Sequence, residues 1–171
     1  MNNRIFLTSD THFFHKNIIE YENRPYKDIY DMNESLIENW NTVVGKTDTV
    51  YHLGDVGFGN VEALESIILR LNGRKKLIIG NHDKRIKPDV WKRIGFDTVY
   101  DLPVVLENFF ILSHKPPQYM TEKVPYVWIY GHVHSSPMYQ TITKNSVCMC
   151  VERWDYKPVS FDEVKNMLAT S

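Results

Sequence analysis

The chain has 171 residues, 20 Lys and Arg against 21 Asp and Glu, seven His, two Cys and 43% apolar residues. A chain of this length removes roughly 70% of its unfolded surface from water, so it can build a core without disulfide or zinc staples, and disorder is excluded as its main state. The longest apolar runs, Tyr126 to Tyr130 and Val147 to Val151, are five residues long, against about 20 for a helix that crosses a bilayer. The amino-terminal MNNRIFLTSD has no apolar leader core, which points to a cytoplasmic protein with no membrane partner.

No repeat, low-complexity tract or Pro/Ser linker divides the sequence, so residues 1–171 are read as one domain. In chain order, the short apolar runs Ile5-Leu7, Val50-Leu53 and Leu77-Ile79 alternate with segments of helical period, the pattern of βαβ units and a parallel sheet. From Asp31 to Val44 the residues Met32, Leu36, Ile37, Trp40, Val43 and Val44 form one stripe, with Asp31 and Glu34 as a capping box and Gly45 as the stop. A second helix is expected from an Asn60 cap through Val61, Leu64, Ile67, Ile68 and Leu71 to Gly73. After residue 96 come closely spaced strand candidates: Thr98-Tyr100, Val104-Leu106, Phe109-Leu112, Tyr126-Tyr130, Tyr139-Thr143 and Val147-Val151. Their connections look too short for helical crossovers, which predicts an antiparallel or mixed half. A last helix opens on Ser160 and Glu163 and buries Phe161, Val164, Met167 and Leu168. The whole reads as α/β with two sheets and helices outside.

Five apolar runs end alike. They lead to Asp10 and His12, to Gly54-Asp55, to Gly80-Asn81-His82-Asp83, to Ser113-His114, and to Gly131-His132-Val133-His134. Each strand therefore delivers a potential metal ligand at its carboxyl end, the edge where α/β sheets bind ligands. The donors are Asp, Asn and His, with no thiolate. Cys148 and Cys150 lie two apart in a strand-like run, which matches neither a CxxC redox pair nor a zinc pattern, and read as reduced thiols.

The ordered series Asp10-x-His12, Gly54-Asp55, Gly80-Asn81-His82-Asp83, His114 and Gly131-His132-x-His134 resembles the motif set of the calcineurin-like metallophosphoesterase superfamily, across residues 10–134. The resemblance implies an α-β-β-α sandwich of two mixed sheets with a dinuclear centre at the strand ends. Carried over by position, it puts Asp10, His12, Asp55 and His134 on one metal and Asp55, Asn81, His114 and His132 on the other. Asp55 becomes the bridge, a metal-bridging hydroxide the nucleophile, and His82 the catalytic histidine that is not a ligand. The donor set suits two divalent ions, Mn first, with Fe or Zn as alternatives.

The serine/threonine phosphatase branch continues its Gly-Asp motif with a further Asp and a phosphate-gripping Arg. Here the continuation is Gly54-Asp55-Val56-Gly57-Phe58-Gly59-Asn60, without that clamp. The expectation is a phosphoester hydrolase with a phosphodiester substrate favoured, a nucleotide or nucleic acid among the possible partners. Alternatives are a phosphomonoesterase, a nuclease on single strands, and a metal-binding interaction module. His15 and Arg24 are candidate substrate contacts, the alternative being ordinary hydrogen-bonded side chains; His52, inside its strand, reads as a core or supporting histidine. Phe13, Phe14, Tyr119, Tyr126 and Trp128 are candidates for base stacking, set against a place in the core. Between Arg74 and Arg93, eight basic and two acidic residues make a local +6 and leave −7 elsewhere. That segment brackets Asn81 and His82, either as a polyanion-attracting flank or as a solvated face.

Overall fold

The computed structural model describes residues 3–118 and 125–170. Strands β1 (Ile5–Thr8), β2 (Thr49–His52), β3 (Arg74–Ile78) and β4 (Thr98–Tyr100) pair in parallel, in that order. A second sheet has the order β5 (Val104–Leu106), β6 (Phe110–Leu112), β7 (Val127–Tyr130), β9 (Ser146–Cys148), β8 (Ile142–Thr143). Its centre, β6-β7-β9, is parallel and its two edges are antiparallel. Strand β10 (Val159–Ser160) returns to the first sheet and pairs antiparallel with β1. Both sheets are thus mixed, and the α/β expectation is met.

Alternation along the strands divides the core. Phe6, Val50 and Leu77 face one way, onto α2 (Ile29–Val43), α3 (Val61–Ile68) and α4 (Pro88–Arg93), which contribute Met32, Leu36 and Trp40, then Leu64 and Ile68, then Trp91. Their neighbours Leu7, Tyr51 and Ile78 face the other way and meet Leu112, Ile129 and Val147 of the second sheet. A strand buried on both faces has no polar alternation, which is why these runs are apolar throughout. The short helix α1 (Ile18–Tyr21) adds Ile18 to the helical side. The last helix, α5 (Phe161–Ala169), lies against β1, β10 and β8 and puts Phe161 and Val164 into the core between the sheets. The outer face of the second sheet carries Trp128, Tyr130 and Cys148, with no helix over them among the described residues.

Three local details differ from the sequence reading. Helix α2 starts earlier, because Asp28 is its cap: the Asp28 carboxylate accepts from the amides of Tyr30 and Asp31, while Asp31 accepts from Lys27, and Glu34 instead pairs with Arg70. Thr98–Tyr100 belongs to the first sheet, since α4, opened by Pro88 and anchored by Trp91, serves as a short crossover. The run from Val147 leaves the sheet after Cys148, because a single 3-10 turn forms at Val151–Arg153. The caps Asn60 and Ser160 hold as expected, each accepting from the amide three residues on. Among the described residues no helix is long and apolar enough to cross a membrane.

Candidate metal centre

The carboxyl ends of β1, β2, β3, β6 and β7 meet at one edge of the sandwich. The chain leaves these strands in an unusual backbone: Asp10, His12, Asp55, His132 and His134 all have φ between +46° and +74°. L-residues avoid that region at a cost of about 1–2 kcal/mol each, and such strain gathers at functional sites. It turns each side chain back toward the cleft rather than along its strand. Glycine makes the close approach possible at Gly131, where a Cβ would collide with Ser9 Oγ and Asp10 Oδ2.

Two groups of ligand-type atoms result, Asp10/His12/His134 and Asp55/His114/His132. In the first, His12 Nε2 and His134 Nε2 each lie 3.8 Å from Asp10 Oδ1. In the second, His114 Nε2 is 3.5 Å from Asp55 Oδ2 and 2.9 Å from Asn81 Oδ1. Asp55 Oδ2 also lies 3.7 Å from His12 Nε2, so it faces both groups. Among the described residues, Asp10 Oδ1 and His12 Nε2 are buried with no hydrogen-bond partner. Orphaned polar atoms at this depth are costly unless something else satisfies them. Donors that share one ion at about 2.0–2.2 Å stand about 3–4 Å apart, and the 3.7–3.8 Å spacings here match that and exceed a hydrogen bond. The Asp and His groups are therefore suited to holding metal ions.

The rest of the site holds these donors still. His114 Nδ1 is 2.8 Å from the Leu53 carbonyl, which fixes the ring with Nε2 toward Asn81 and Asp55. His12 Nδ1 meets His15 Nδ1 at 3.1 Å, and the His15 ring stacks on Phe58 at 4.0 Å. Asp10 Oδ2 accepts from the His132 amide, and Asp55 Oδ1 from the His82 amide. Burial alone would raise the Asp10 carboxyl, but His12, His114 and His134 around it outweigh that and hold it below the ordinary carboxylate range. Burial would lower His134, yet Glu152 and Asp10 raise it to about 9. His82 differs from the candidate ligands: its side chain is 45% exposed, its Nε2 is 3.9 Å from Asp55 Oδ2, and its ring leans on Phe58.

No protein-family model matches the chain. An uncharacterized protein of Methanocaldococcus jannaschii is 36% identical over 96% of this chain and 91% of its own length. The chain belongs to the family of that archaeal protein. Gene 66 protein of mycobacterium phage L5 is 30% identical, over 98% of this chain and 95% of its own. A solved structure of a protein of unknown function from Aquifex aeolicus is similar over 97% of this chain and 100% of that one, with a TM-score of 0.73 at 29% identity.

In this member of the family several expected contacts lie elsewhere. Arg24 is not at the site mouth: it is buried, donating to the carbonyls of Asp10 and Thr11 and to Glu152, so its guanidinium has no free edge for substrate. His15 does lie beside the donors, behind His12. His52 is buried as expected. Its Nδ1 accepts from the Gly54 amide, so its Nε2 carries the proton to Thr11 Oγ1, which passes its own to the Val56 carbonyl; burial lowers its pKa to about 3. The basic segment divides. Arg74, Lys75 and Lys76 occupy the amino half of β3, where Arg74 pairs with Asp97 and Lys75 is spent on the carbonyls of Leu71 and Gly73. Only Lys84 and Arg85 follow His82 directly, and Arg85 binds the carbonyls of Gly57 and Gly59 on either side of Phe58.

Among the stacking candidates, Phe13 is in the core, Phe14 packs against it, and Tyr126 and Trp128 lie at and within β7 on the second sheet; Tyr119 falls outside the described residues. The aromatic ring at the site is Phe58, which the pattern did not single out. Asp83 was legible only as part of a motif. It is fully buried and accepts from the amides of Asp55, Val56 and Gly80, stitching the turn after β2 to the turn after β3. Burial pushes its pKa up to about 6 against the pull of those amides. Cys148 and Cys150 are free thiols, and Cys150 Sγ lies 3.3 Å from Asp10 Oδ2 as a neighbour of the site.

Proposed function

We propose that the chain is a two-metal phosphoester hydrolase of the calcineurin-like type, with phosphodiesters favoured over monoesters. The observation that carries this reading is the pair of donor groups joined by Asp55 Oδ2, with Asp10 Oδ1 and His12 Nε2 buried and unpartnered. Asp10, His12, Asp55 and His134 would hold one ion; Asp55, Asn81, His114 and His132 would hold the other. Divalent ions there supply Lewis acidity toward a phosphoryl oxygen and acidify water near neutral pH. The chain's part is to fix charge and geometry. Two carboxylates offset only half the charge of two divalent ions, and the neutral amide of Asn81 preserves that excess for an anionic ester.

His82 is the acid-base candidate. Its backbone amide is pinned to Asp55 Oδ1 at 2.9 Å, while its ring stays exposed and makes no hydrogen bond among the described residues. It is placed to hydrogen-bond or protonate the leaving oxygen. The preference for a diester rests on Arg24. A monoester dianion calls for a further cationic clamp, and the first guanidinium after the Asp10-x-His12 motif, Arg24, is spent on carbonyls and Glu152. The N/O donor set suits Mn, Fe or Zn, Mn being the first choice.

The test is to strip the protein with chelator, restore Mn and compare an aryl phosphodiester with the aryl monoester. Faster hydrolysis of the diester supports the reading. No turnover of either ester, with both sites loaded, overturns it.

A further inference from the structure

Glu152 sits in the 3-10 turn just past β9, outside every motif that marks the site. Its carboxylate is buried, its side chain only 3% exposed. Glu152 Oε1 lies 3.0 Å from His134 Nδ1, and the same oxygen accepts from Arg24 Nε at 3.1 Å and from Arg24 Nη2. Arg24 continues the chain of contacts: Nη2 donates to the Asp10 carbonyl and Nη1 to the Thr11 carbonyl, each at 2.8 Å. One carboxylate thus backs a ligand-type imidazole, and its counter-cation grips the backbone beside two more candidate ligands, Asp10 and His12.

We propose that Glu152 is the positioning residue of the Asp10/His12/His134 site, with Arg24 as its charge partner. This rests on the metal-holding reading above and extends it to two residues outside the ligand set. A neutral imidazole carries one N–H. With that proton on Nδ1 and donated to Glu152, the Nε2 lone pair is left facing Asp10 Oδ1, 3.8 Å away. The other tautomer would set a lone pair against a carboxylate and leave no donor for the ion. A carboxylate behind a ligating histidine also raises its basicity, and outer partners of this kind are worth about 10- to 100-fold in metal affinity. His114 is instead backed by the neutral Leu53 carbonyl and His12 by the His15 imidazole, so neither of these has a carboxylate in that place. Arg24 supplies the positive charge that a buried carboxylate requires. Glu22, His134 and Glu152 are also close enough to share an ion, and Glu152 Oε2 is buried without a hydrogen-bond partner among the described residues. Of that group, Glu152 Oε1 is already engaged by the Arg24 guanidinium and His134 Nδ1, and Glu22 Oε2 accepts from the Ser135 amide and hydroxyl.

The experiment titrates the full chain with Mn, reading free Mn by electron paramagnetic resonance, for the native protein, Glu152→Gln, Glu152→Asp and Arg24→Lys. Melting of the metal-free proteins is measured alongside. In Glu152→Gln, affinity for one ion is expected to fall about 10- to 100-fold, with the other site changed less than about threefold and the metal-free melting point within a few degrees. Glu152→Asp recovers part of the loss. Arg24→Lys loses affinity at the same site, because an ammonium cannot serve the carboxylate and both carbonyls together. A second readout needs no variant: the Zn-loaded native protein should show a downfield Nδ1 proton from His134, and its absence overturns the proposal. So does unchanged binding of both ions by Glu152→Gln, a parallel fall at both sites in step with metal-free melting, or a native protein that binds no divalent ion. Turnover is not read. A chain that loses one ion on Glu152→Gln but hydrolyses no phosphoester removes the hydrolase reading and keeps this one.

Discussion

The two ends of the first sheet follow different rules. At the amino end the cations at and on the strands have partners: Arg4 with Asp48 at 2.7 Å, Arg74 with Asp97 at 3.2 Å, Lys75 with two carbonyls and Lys76 with the Tyr51 hydroxyl at 3.2 Å. At the carboxyl end, buried polar atoms have no hydrogen-bond partner among the described residues and the backbone repeatedly takes a left-handed turn. The same strands join both ends, so strand chemistry does not account for the contrast. The amino end shows satisfied charges, whereas the carboxyl end carries strain and unsatisfied polarity of the kind that gathers at functional sites.

Substitutions at the two ends test that contrast. Asp55→Asn should have the largest effect, weakening both ions together in Mn titration and lowering turnover about 10³-fold; loss at one site alone would break the shared-ligand assignment. His82→Ala should leave Mn stoichiometry intact and lower turnover about 10²- to 10³-fold, whereas loss of metal would make His82 a ligand. Asp83→Ala strips three buried amides of their acceptor and should cost about 3 kcal/mol, or a melting point lower by about 10 °C. Gly131→Ala, whose Cβ meets Ser9 and Asp10, should cost about 2 kcal/mol and weaken Mn binding. The matched change at the other end, Gly45→Ala, meets only Asp48 Oδ2 at 3.3 Å and should stay within about 0.5 kcal/mol. Arg4→Ala, where the Arg side chain is 54% exposed, should be smallest, at about 0.5 kcal/mol and less in high salt.

The site was legible where its chemistry is local. Asp10, Asp55, Asn81, His114 and His132 each follow an apolar run within a few residues, so the strand that delivers the ligand also announces it. The caps at Asn60 and Ser160 were legible for the same reason, since acceptor and amide are three residues apart. Arg24 was misread because its surroundings come from distant chain: its acceptor Glu152 is 128 positions away. The basic segment misled in the opposite sense. Arg74 opens β3 at its amino end, whereas Arg85, eleven residues on, closes the turn that follows its carboxyl end.

What the sequence by itself determined is the set of donors and the order of the strands that carry them, because burial on two faces and a sharp turn after a strand leave marks within a few residues. Only the tertiary structure decided how those donors are held: the Glu152–Arg24 pair behind His134, Asp83 across two turns, and the fourth strand through a helix of six residues. Glu152 and Arg24 meet across 128 positions and Asp83 reaches the turn after β2 across 27 to 28, and spacing along a sequence carries no measure of such approaches.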